Sequence, residues 1–146
     1  MSRAERAEVK IKTSELTGAA LDWAVAKALG RLDKRLTPDP RPGISAIDIG
    51  LRERDVMVFS YACFDYVPFA PSFDWAQGGP IIERKEIGTK RNAPCSVGRE
   101  WEASPSITAE GAGGRFGYGP TPLVAAMRCC VASELGDEVD IPKELL

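Results

Sequence analysis

The stretch "GPTPLVAAMRCCVASELGDEVDIP" (119–142) decides how this chain is read. Thr121 offers a hydroxyl oxygen to the free N–H groups of a first helical turn, and Pro122 suits the first position, whose N–H would go unused. Leu123, Val124, Met127, Cys130, Val131 and Leu135 recur at helical spacing and form an apolar stripe. Gly136 permits a left-handed stop. The spacing predicts a helix over 122–135, with "DEVDIP" beyond it as an edge strand or a surface tail.

A second segment of the same design lies near the start, in "KIKTSELTGAALDWAVAKALG" (10–30). Thr17 is placed to cap, Leu16 and Leu21 occupy staple positions, and Leu21, Ala24, Val25, Ala28 and Leu29 make the stripe. With Gly30 as the left-handed cap, a helix is predicted over 18–29. Val9 and Ile11 alternate just before it, which predicts a short strand over 7–13. Two striped helices among short strands give an α+β fold: a small antiparallel sheet packed with two main helices.

Between these helices the signals are shorter. "TPDPRPG" (37–43) admits no helix, so 31–54 reads mainly as a connection with a strand near 45–49. Val56 and Val58 mark a strand near 56–62. In "SFDWAQGGPIIERKEI" (72–87), Asp74 can cap a turn, Trp75 is expected to pack inward, and Gly78–Gly79 to allow a tight bend. Pro80 then starts a short helix near 80–86 that turns Ile81 and Ile82 to the core. "GTKRNAPCSVG" (88–98) reads as a loop, and "REWEAS" (99–104) as a half-exposed strand around Trp101. Five glycines between 111 and 119 mark the most flexible part of the chain.

Composition limits the chemistry. The 146 residues fit one domain and carry a net charge of −2, which disfavours whole-surface attraction to nucleic acid or anionic membrane. No apolar run approaches the ~20 residues of a spanning helix. Histidine is absent, which removes His-based acid–base catalysis, Ser-His-Asp and Cys-His nucleophiles, and His-ligated metals. Cys63, Cys95, Cys129 and Cys130 lack zinc spacing and a secretory context, so they read as cytosolic thiols.

Each remaining site pattern has a plainer counterpart. The glycine-rich segment fits neither phosphate-loop motif, because no lysine follows it and its spacing is wrong. Asp65, Asp74, Glu83, Glu100 and Glu102 are candidate paired carboxylates, but solvation is the ordinary state of such groups. Cys95 has Lys90 and Arg91 nearby in sequence, yet lacks a histidine base. Arg84, Lys85, Lys90 and Arg91 are candidate nucleic-acid contacts, interrupted by acids. The aromatic block 59–75 reads as core, with any exposed part marking a protein-contact surface.

The segments 10–30, 72–87, 119–142 and "WEA" (101–103) together resemble the NinX-like family of bacteriophage proteins. The resemblance implies a small phage or prophage protein of the host cytoplasm, an α+β sandwich, and no transferable catalytic residue. We therefore expect a non-enzymatic accessory protein that binds a host or phage macromolecule and needs no cofactor or metal. Nucleic acid and a second copy of the chain are alternative partners, and no membrane is expected. Residues 1–8 are expected to be a flexible leader to a single domain over 9–146. Asp74, Trp75, Gly78, Gly79 and Pro80, with Gly119, Pro120 and Thr121 as a second wall, are the candidate groove.

Overall fold

The structure is a computed structural model that describes residues 7–32, 44–52, 55–60, 65–93, 97–105 and 116–146. The proline-rich run 37–43, Cys63, Cys95 and Gly111, Gly113 and Gly114 of the glycine-rich segment lie outside the described residues.

The two strongly signposted helices form. The first, α1 (Gly18–Leu32), follows strand β1 (Glu8–Lys12) and a 3-10 turn at Thr13–Glu15. Gly18 turns the chain into α1 at φ +55°, a conformation that suits glycine, and the Thr17 carbonyl accepts from Leu21 N–H at 3.3 Å. The expected stop at Gly30 does not occur. A glycine inside a helix costs about 1 kcal/mol relative to alanine, which the burial of a single leucine outweighs, and Leu29 is buried just before it. α3 (Pro122–Leu135) begins and ends where the sequence places it, with Gly136 at φ +91°.

Among the described residues, three antiparallel sheets surround these helices. β1 pairs with β8 (Glu138–Pro142), joining the two ends of the chain, with Val9 opposite Ile141 and Ile11 opposite Val139. β2 (Ile44–Arg52), β3 (Asp55–Ser60) and β4 (Asp65–Pro68) form a meander whose register shifts between Ser45 and Ile49. β5 (Ile87–Arg91), β6 (Trp101–Pro105) and β7 (Gly117–Gly119) form the third. One of these strands corrects the sequence reading and another extends it. Residues 88–91 belong to a strand rather than a loop, because β6 supplies both the ladder and the opposing side chains for Lys90 and Arg91. The strand expected near 45–49 forms and is longer, running over 44–52 through its pairing with β3.

α3 is the centre of the molecule. It packs on α1, which also touches β2 and β3, and on β5, β6 and β7. Ala125 to Ala132 are all buried, so α3 is enclosed on every side rather than along one stripe. Fully burying a side chain such as Val131 or Met127 contributes about 1.5–3 kcal/mol. The glycines of β7 let the sheet lie directly on this helix. A Cβ on Gly117 would overlap the Ala125 carbonyl and come within 2.5 Å of the Cys129 nitrogen. One on Gly119 would meet Val124 Cγ1 at 2.7 Å. "GYG" is thus strand whose glycines serve close approach, where flexibility was expected.

Candidate functional site

The segment around Asp74 differs most from its sequence reading. α2 spans Trp75–Arg84, so Gly78, Gly79 and Pro80 lie inside a helix and form no bend. Asp74 is the N-cap, its Oδ1 accepting from Ala76 N–H at 2.9 Å, and the Asp74 carbonyl accepts from Gly78 N–H at 2.8 Å. That cap starts the helix ahead of the proline. Pro80 cannot donate to the Ala76 carbonyl, and the helix carries that loss. Gly78 tolerates its position because of what it touches: an added Cβ would strike the Pro71 carbonyl and lie 2.5 Å from Leu123 Cδ2.

The turn before α2 is held from three sides. Ser72 N–H donates to Asp22 Oδ1 at 2.9 Å. Gln77 accepts from Ala70 N–H at 2.6 Å and donates to the Pro68 carbonyl at 3.0 Å. The Ala70 carbonyl accepts from Phe73 N–H at 3.1 Å and Asp74 N–H at 2.8 Å. This frame holds two aromatic side chains toward water. Phe73 is 87% exposed and Trp75 is 56% exposed, so the expectation that Trp75 packs inward is overturned. The cap geometry commits position 75 to the outer side, while Gly78 and Ile81 take the buried face.

The second half of the candidate groove lies at the start of α3. Thr121 Oγ1 accepts from Val124 N–H at 3.1 Å. Pro120 and Thr121 are exposed and Gly119 is buried. The starts of α2 and α3 meet where Gly78 faces Leu123. The two segments are therefore neighbours, joined by a filled contact at Leu123.

The basic segment is largely engaged by its own surroundings. Lys85 Nζ lies 3.4 Å from Glu134, and Lys90 Nζ lies 3.1 Å from Glu102. Arg91 sits 5.8 Å from the centre of the Trp101 ring. Arg84 also has a partner. On the outer face of the third sheet, Lys90, Glu102 and Tyr118 stand in register across three strands. The Tyr118 hydroxyl donates to Glu102, and its pKa is raised by partial burial first and by that carboxylate second.

The candidate carboxylates stay apart in role. Glu83 is exposed, Glu100 accepts from Gly98 N–H at 3.0 Å, Glu102 pairs with Lys90, and Asp65 falls in β4. Burial pushes the Cys129 thiol up to about 11 and the Cys130 thiol up to about 12, so both are protonated at neutral pH and supply no thiolate. Among the described residues, no group of three or more Cys, Asp and Glu is placed to hold a metal.

Two buried charged residues escaped sequence reasoning. Asp22 is 4% exposed on α1, and burial pushes its carboxyl up to about 6, opposed by the Ser72 hydrogen bonds. Arg128 is 8% exposed at the middle of α3. Nε donates to the Leu16 carbonyl at 2.9 Å and Nη1 to the Tyr118 carbonyl at 2.7 Å. The available signal was a single charge inside the otherwise apolar run "LVAAMRCCVA" (123–132).

A protein-family model described as "Bacteriophage P22, NinX" matches residues 12–134. The match spans α1, α2, β2 to β7 and α3 short of its last residue, omitting β8 and all of β1 but Lys12. No curated protein matches the chain.

Proposed function

This chain belongs to the bacteriophage P22 NinX family, and from that premise we propose that it is a non-enzymatic accessory module that binds a protein partner in the bacterial host cytoplasm. The observation that carries this reading is the pair Phe73 and Trp75, 87% and 56% exposed on a turn held by Asp22, Gln77 and the Ala70 carbonyl. Exposed aromatics on a fixed backbone offer large contact area with little ordering cost, which is how anchor residues of interfaces work. Asp74 between them, with Thr121 at the neighbouring helix start, supplies polar groups for a rim. The pairing of Lys85 and Lys90 with carboxylates favours a protein over a nucleic acid as the partner.

The full chain, immobilised and exposed to lysate of infected cells with and without nuclease, tests this. A protein retained after nuclease treatment and lost when Phe73 and Trp75 are both changed to alanine supports the reading. Retention that ignores both substitutions, or that disappears with nuclease, contradicts it. Salt-dependent binding to DNA or RNA, weakened by Lys90→Ala and Arg91→Ala, would favour the nucleic-acid alternative instead.

A further inference from the structure

A cleft of about 500 Å³ opens beside β7, at the corner where β1 ends in Lys12 and β8 begins. Arg128 forms part of its wall. Its two hydrogen bonds go to the carbonyls of Leu16 and Tyr118, which orient the guanidinium without neutralising it. A guanidinium has five N–H donors, so those two bonds fix the plane of the fork and leave donor capacity in it. Burial lowers the Arg128 pKa, a sign that the charge is held at a cost. Lys12 and Arg99 also line the cleft, and Arg99 is preset by stacking 4.4 Å over the Tyr118 ring. Two carboxylate residues, Asp137 and Glu138, share the lining, as does Phe116, 55% exposed.

This set selects a ligand by exclusion. An inorganic anion would meet the arginines and leave the Phe116 ring unused. An apolar ligand would cover the ring and strand the buried guanidinium. A molecule with an anionic head, a flat ring and hydroxyl donors between them satisfies all three kinds of lining. A cleft of this size lies within the roughly 300–1,000 Å³ typical of small-molecule sites. We propose that this cleft binds a nucleoside monophosphate, with phosphate toward Arg128, Arg99 and Lys12, the base against Phe116, and ribose hydroxyls toward Asp137 and Glu138.

Calorimetric titration of the full chain at low ionic strength with AMP, GMP, CMP and UMP, each beside its nucleoside and beside inorganic phosphate, tests the assignment. At least one monophosphate is expected to bind with a Kd of about 1 mM or tighter, and about tenfold tighter than either of its parts. Phe116→Ala is expected to weaken the monophosphate about fivefold while leaving inorganic phosphate unchanged. Arg99→Ala is expected to weaken both about tenfold. Phe116 and Arg99 are exposed, so these variants keep the fold, whereas Arg128 is left intact because it ties three elements together. Silence with all four monophosphates, affinity equal to that of phosphate alone, or indifference to both substitutions would overturn the proposal.

Discussion

α2 and α3 begin alike and end in different environments. Each is opened by a polar cap, Asp74 or Thr121, accepting from a backbone N–H of the first turn, and each has a glycine and a proline close by. α3 then disappears into the core, with Ala125 to Ala132 buried, while α2 keeps one face and its leading aromatics in water. The difference lies in what surrounds each helix. α3 is walled by α1 and the third sheet, and its neighbours fit because Gly117 and Gly119 have no side chains to push them away. α2 is held mainly through Gly78, Ile81 and the turn tied to Asp22. Cap residues decide where a helix starts, and the neighbouring elements decide whether it becomes core or surface.

The sharpest way to break the comparison is at Gly117. Gly117→Ala would drive a Cβ into the α3 backbone, which cannot yield as a flexible side chain would. We expect a loss of about 3 kcal/mol or more, seen as a reduced urea midpoint or as failure to fold. A near-neutral result would mean that β7 does not rest on α3.

The next effect is one of pH. In the folded chain the Asp22 carboxyl binds its proton with a pKa of about 6, against 3.8 for an unperturbed group. The resulting stabilisation is complete below pH 3.8 and is lost as pH rises through 6. Asp22→Asn keeps an oxygen acceptor for Ser72 N–H and cannot titrate. Relative to wild type, the variant is therefore expected to gain on the order of 2–3 kcal/mol between pH 4 and pH 7. Denaturation curves at both pH values check this, and parallel pH profiles would contradict it.

The smallest effect contrasts two adjacent glycines. Gly79 has nothing within 4 Å of an added Cβ, so Gly79→Ala should stabilise α2 by about 0.5–1 kcal/mol. Gly78→Ala should instead cost about 1–3 kcal/mol, because Leu123 and the Pro71 carbonyl occupy the space. Thermal melts of the two variants should move in opposite directions.

The same contrast explains what could be read from the chain alone. Thr121, Pro122 and Gly136 carry local signals that act within a few residues, and α3 has the expected bounds. The β1 alternation around Val9 and Ile11 was also legible, being a period-2 pattern. At α2 two local signals competed. Pro80 and Asp74 are both good starts, and the choice went to Asp74 through a turn whose clamp, Asp22, lies 50 residues away. Glycines at 117 and 119 resemble flexible linkers in sequence, and only contact with α3 gives them their role. Trp75 faces outward because the Asp74 cap sets its phase on the helix, which composition cannot reveal.

Native-state hydrogen exchange on the full chain tests the central contrast most directly. Amides from Ala126 to Val131 in α3 should exchange only through global unfolding, with an opening free energy equal to that from denaturation. Amides of Gln77 to Gly79 in α2 should exchange about 100-fold faster or more. Equal protection of the two helices, or faster exchange in α3, would contradict the account of one helix as core and the other as presented surface.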